Sequence, residues 1–115
     1  MSGEAGAAIA AALVIDPAGC TSMTEVRAGV DSLDAAIVAL LARRFRFMDA
    51  AARIKPERAH VRDEPRKAAV IARARGVADR EGAPAELVAA LYEQLVEGSI
   101  AYELARFDAR TADAD

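Results

Sequence analysis

The chain has 115 residues with a net charge of −3 and a pI near 5.2. That is one domain's length, and it offers no electrostatic case for binding nucleic acid or an anionic membrane. An alanine-rich composition with only 4% aromatic residues predicts an all-α fold, and a single cysteine, Cys20, excludes an internal disulfide.

The first twenty residues read as a separate arm. AGAAIAAALVI, from Ala5 to Ile15, has the apolarity of a signal-peptide centre, but no basic side chain precedes it and Glu4 is acidic. Eleven residues are also too few to cross a bilayer as a helix. The expectation is a loosely ordered arm over 1–20, or a short packed turn, in a cytoplasmic protein. Cys20 has no basic neighbour to activate it, although a reducing compartment is compatible with its being alone.

Ser22 followed by Glu25 fits a capping box and opens a long helix, which should run to about Lys55, before Pro56. Its apolar positions, Val26, Val30, Leu33, Ile37, Leu40, Phe47, Ala51 and Ile54, recur in steps of four and three. This is a heptad seam, and Arg44 stands where it calls for an apolar residue. An unpaired buried charge costs several kcal/mol on rough estimate, so Arg44 needs an anion from the protein or from a ligand. At ~1.5 Å per residue the rod is roughly 50 Å long, against a radius of gyration of ~13 Å for a compact domain of this size. A partner is expected, and a homodimer is the simplest.

PERAHVRD, from Pro56 to Asp63, reads as a polar loop, with Asp63 as the N-cap of a second helix over Glu64 to Arg80. Val70, Ala74 and Val77 share one of its faces, Gly82 ends it, and Pro84 opens a third helix reaching Phe107. Val88, Tyr92, Leu95, Ser99 and Glu103 line one side of that third helix, and an acidic tail (109–115) is expected to fray.

Lys55 lies eleven residues after Arg44, about 20° round a helix at ~100° per residue, so the two cations share a face. Arg27 is roughly 100° away on the same arithmetic and suits a partner's site better than its own. Arg62 and Arg66 stand near the start of the second helix, where anions are favoured. Such a cationic set in an acidic protein suits a ligand with more than one carboxylate, because Arg binds carboxylates in two-pronged fashion. Blander readings stand beside this one. Arg44 pairs with an internal carboxylate such as Glu103, or Lys55 only answers a helix dipole. Arg43, Arg46 and Arg53 are solvated surface, and Tyr92 and Phe47 are core. His60 has no nearby ligand set for a metal, and no helical histidine completes a triad with Ser99 and Glu103.

The run EVRAGVDSLDAAIVALLARR, the lysine at 55, VRDEPR and SIAYE together resemble the all-helical chorismate mutase family over about Thr21 to Phe107. The resemblance implies an intertwined homodimer of three-helix protomers, with each active site built from both chains. It implies that Arg27 is lent by the partner chain and that Arg44 grips the side-chain carboxylate of the substrate. Lys55 then donates to the ether oxygen and a carboxylate, and Asp63, Arg66 and Ser99 form the remaining polar wall. Neither a cofactor nor a metal is implied.

The implied reaction, chorismate to prephenate in aromatic amino-acid biosynthesis, breaks an ether C–O bond and forms a C–C bond in one pericyclic step. The protein holds the compact conformer and stabilises charge growing on the ether oxygen. Two positions depart from the family pattern. Lys67 stands where many members have a glutamate for the ring hydroxyl, and Glu103 where many have a glutamine for the ether oxygen. Isochorismate-pyruvate lyases share the scaffold, lack that glutamate and carry a segment like Cys20-Thr21. Mutases of 4-amino-4-deoxychorismate can place an acid at the Glu103 position. The intact Asp63 motif favours the ordinary mutase. A non-catalytic helical dimer is the alternative outside enzymology; it has no need for these cations to converge.

Overall fold

The computed structural model describes residues 3–114, apart from the side chains at 4, 5 and 111–114. Four α-helices occur among them: α1 (Gly3–Ala12), α2 (Met23–Ile54), α3 (Glu64–Glu81) and α4 (Ala85–Ala114). Single 3-10 turns occupy Pro17–Gly19 and Arg58–His60. The all-helical class is as expected, but the helix count is four rather than three. The segment read as a loose arm or packed turn forms α1. The last helix does not stop near Phe107 but runs on through the tail; Asp115 lies outside the described residues. Alanine explains both extensions, since it loses no side-chain entropy in a helix.

The chain divides into two compact units, Met1–Arg46 and Phe47–Asp115, with the division falling inside α2. In the first unit the expected capping box forms in part at the start of α2, the Glu25 carboxylate taking the Thr21 amide. The Glu25 amide donates to Ser22 Oγ at 3.2 Å, and the Glu25 carboxylate accepts from the Thr21 amide at 3.1 Å. The amide and hydroxyl of Thr21, with the hydroxyl of Ser22, hold the Glu25 carboxyl below its usual value. Ile15 folds back over Gly29, where a Cβ would sit 3.5 Å from Ile15 Cγ2. Ala12, Ile15 and Cys20 there line a cavity of about 120 Å³ together with Val26, Val30 and Leu33 of the seam.

The second unit is built on the α3–α4 hairpin. Asp63 caps α3 by accepting from the Arg66 amide at 3.0 Å. At the other end Gly82 takes φ 75°, and the Ala83 amide reaches back to the Ala78 carbonyl at 2.8 Å. This left-handed stop turns the chain into α4 within three residues. Arg75 pairs with Glu86 near the turn, and Lys67 with Glu93 and Glu97 further along, so the two helices are antiparallel. Val61, Val96 and Ile100 form the core, with Val70 and Leu104 against it. Val61 sits in the segment read as a polar loop. One apolar side chain inside PERAHVRD therefore anchors the loop to the hairpin. Phe47, expected in the core, is 61% exposed.

Candidate functional site

Each unit carries its own share of the expected site residues. In the first, α2 presents Arg27 on an exposed position and Arg44 on a half-buried one. Both follow from an unbroken helix with no Pro to shift their phase. Arg43, Arg46 and Arg53 are exposed, as expected for positions off the seam.

In the second unit the structure brings Lys55, Glu103 and Ser99 together. Lys55 follows the last residue of α2, and its Nζ lies 2.7 Å from Glu103 Oε2. The Glu103 side chain is 6% exposed and that of Lys55 30%, so the ammonium stands between solvent and a buried carboxyl group. The contact is ionic rather than an aligned hydrogen bond: Oε2 has no donor in hydrogen-bonding geometry among the described residues. Ser99, one turn before Glu103 on α4, is buried and donates its hydroxyl to the Leu95 carbonyl at 2.7 Å. Glu103 is thus a partner of Lys55, and the lysine does more than face a helix dipole.

Asp63 and Arg66 sit at the opening turn of α3, where Asp63 is committed to the cap and the Arg66 side chain is exposed. Arg62 is not available as a ligand cation. Its guanidinium is held by Glu97 at 2.8 Å and by Glu64 at 2.8 Å, and these hydrogen bonds raise its pKa further. Lys67 is likewise tied to Glu93 at 2.8 Å and Glu97 at 2.7 Å, which raise its pKa. Hydrogen bonds from Arg62 and then Lys67 hold the Glu97 carboxyl down to about 2. Glu97 and Ser99 are two residues apart, or ~200° round α4, so Lys67 is held on a face away from Ser99.

Four residues near the site escaped the sequence reading: Asp49, Tyr102, Arg106 and Arg110. Tyr102 donates to Asp49 Oδ1 at 2.8 Å, and Arg106 pairs with Asp49 at 3.2 Å while stacking over the Tyr102 ring. Arg110 donates to the carbonyls of Ala52 and Arg53 at 2.7 and 2.9 Å. The available signal was Pro56, which lacks the amide that a fourth-next residue would offer the Ala52 carbonyl.

Chemically, the cluster at the end of α2 offers a part-exposed cation for a substrate oxygen, backed by a buried acid and a buried hydroxyl. No group of His, Cys, Asp or Glu side chains among the described residues is arranged to hold a metal ion. No helix among them is long and apolar enough to cross a membrane. The family described as chorismate mutase type II matches residues 26–104, from the second turn of α2 to just past Glu103. An isochorismate pyruvate lyase from Pseudomonas aeruginosa is 31% identical over 88 residues, covering 76% of this chain and 87% of the lyase. α1, and α4 beyond Leu104, fall outside the family match. Motif, helix order and match agree, and the chain belongs to the chorismate mutase type II family.

Proposed function

We propose that the protein is a chorismate mutase, rearranging chorismate to prephenate as a homodimer. The observation that carries this reading is the Lys55–Glu103 pair beside Ser99. On this reading Lys55 leaves Glu103 to meet the ether oxygen and a carboxylate, while Arg44 grips the side-chain carboxylate. Arg27 comes from the partner chain, and Asp63 and Arg66 complete the wall toward the ring. A preorganised donor to a developing oxyanion is worth on the order of 2.7–4 kcal/mol of barrier. A pericyclic step needs no nucleophile, which suits a site built of cations, one acid and a hydroxyl. Glu103 donates to the ether oxygen only while it holds a proton. The apolar seam of α2, exposed at Val26, Val30, Leu33, Ile37 and Leu40, supports the dimer.

One observation favours a second reading, isochorismate-pyruvate lyase. Lys67 occupies the position of the family's hydroxyl-binding glutamate and is tied to Glu93 and Glu97, and the relative from Pseudomonas aeruginosa bears the lyase name. Both reactions break the same kind of ether bond, so the cations serve either. Chorismate and isochorismate offered separately decide between them. Prephenate from chorismate supports the mutase; salicylate with pyruvate from isochorismate, and no prephenate, replaces it with the lyase. Inactivity on both overturns these two readings and leaves the mutase of 4-amino-4-deoxychorismate and the association module.

A further inference from the structure

The C-terminal part of α4, beyond the family match, is engaged with the end of α2. Helix α2 stops at Ile54, leaving its last carbonyls without intrahelical donors. The Ala52 carbonyl loses its donor outright, because Pro56 stands where that amide belongs. Arg110 supplies the replacement. One guanidinium nitrogen, Nη1, bridges the Ala52 and Arg53 carbonyls at 2.7 and 2.9 Å. The guanidinium lies 4.1 Å above the centre of the buried Phe107 ring, which limits where it can go. Its positive charge also faces the negative end of the α2 dipole. The next residue but one after Arg53 is Lys55, whose own amide closes the final helical bond to Ala51 at 2.9 Å.

We propose that Arg110 is a positioning residue: it locks the frayable end of α2 and so sets the Lys55 ammonium against Glu103. The catalytic consequence rests on the mutase or lyase reading above; the locking of Lys55 does not. A lysine on an unpinned helix end samples several placements, and a displacement of about 1 Å at a catalytic group costs up to a hundredfold in rate. Asp49, held by Tyr102 and Arg106, steadies the turn before it.

The test compares the full chain with Arg110→Ala, Arg110→Lys and Arg58→Ala. Arg58 pairs with Asp108 at 2.9 Å on the same stretch of α4 but touches no α2 carbonyl, so Arg58→Ala controls for general loosening. Amide hydrogen exchange at Lys55 should quicken at least about tenfold in Arg110→Ala, and remain near the unmutated rate in Arg58→Ala. Arg110→Lys, which keeps a charged donor, should recover most of the protection. With the active substrate, kcat should fall roughly tenfold in Arg110→Ala with little change in KM. In a Lys55→Ala background the same change should cost less than about twofold, because Arg110 acts through that lysine. Unchanged exchange at Lys55 overturns the proposal whatever the activity. Quickened exchange with unchanged kcat, or a full tenfold loss in the Lys55→Ala background, overturns the positioning role. An unmutated protein inactive on both substrates defeats the functional reading alone, and exchange at Lys55 still decides the locking.

Discussion

In the α3–α4 hairpin, Val61, Val96 and Ile100 are 4–8% exposed, and Lys67, Arg62 and Arg75 all have carboxylates from α4. Along α2 in the first unit, Val26, Val30, Leu33, Ile37 and Leu40 remain 38–51% exposed. Both stretches carry apolar side chains, yet among the described residues only those of the hairpin are buried. At ~25 cal/mol per Å² of apolar surface, the half-exposed seam has much to gain from further burial. The hairpin is a finished unit of structure, and the seam still presents apolar surface.

The largest effect should come from charging the seam. Ile37→Asp should abolish the dimer that we propose, and sedimentation velocity at micromolar protein will show it. A dimer that survives, or a stably folded monomer of the unmutated chain, means that the seam is not the interface. Next come the two cations, one from each unit. Arg44→Ala and Lys55→Ala should each lower turnover by roughly a hundredfold or more without loss of helicity, since both meet charge that grows in the transition state. Near-full activity in either would remove that residue from the site. Glu103→Gln is a smaller change. If Glu103 donates to the ether oxygen, the glutamine, which always carries its donor, should preserve or raise turnover at neutral pH. A loss of turnover in Glu103→Gln would leave Glu103 as the counter-charge of Lys55 only. The smallest effect belongs to the hairpin. Glu97 is held near 2 in the folded state against an ordinary 4.5, so its ion pairs contribute stability above 4.5 that is lost as pH falls toward 2. The melting temperature of the unmutated chain should therefore drop over that window more than that of Glu97→Gln, by a modest amount because these charges are exposed. Parallel melting curves would deny the network a net contribution.

The long helix, its capping box and the Asp63 and Gly82 boundaries were legible because each is encoded within a few residues of itself. So was the pairing of polar residues on one face of the last helix, since Ser99 and Glu103 are one turn apart. What the sequence did not disclose is long-range. Arg62 with Glu97 and Arg110 with Ala52 join residues 35 and 58 positions apart, and no periodicity predicts such partners; Lys55 with Glu103 was reachable only through the family resemblance. The two extra stretches of helix were misjudged for another reason. Polar or small residues at chain ends read as arm and tail, but Ala-rich segments stay helical and α4 is held by Phe107 and Arg110 as well.

The clasp of Lys67 between Glu93 and Glu97 constrains how this sequence can change over time. A Lys67→Glu change would set three carboxylates side by side and leave Glu97 with Arg62 as its one cation among the described residues. Because these groups are partly exposed, the cost is modest and falls when Glu93 or Glu97 is changed as well. The effect of a substitution at position 67 therefore depends on which residues stand across the hairpin when it occurs.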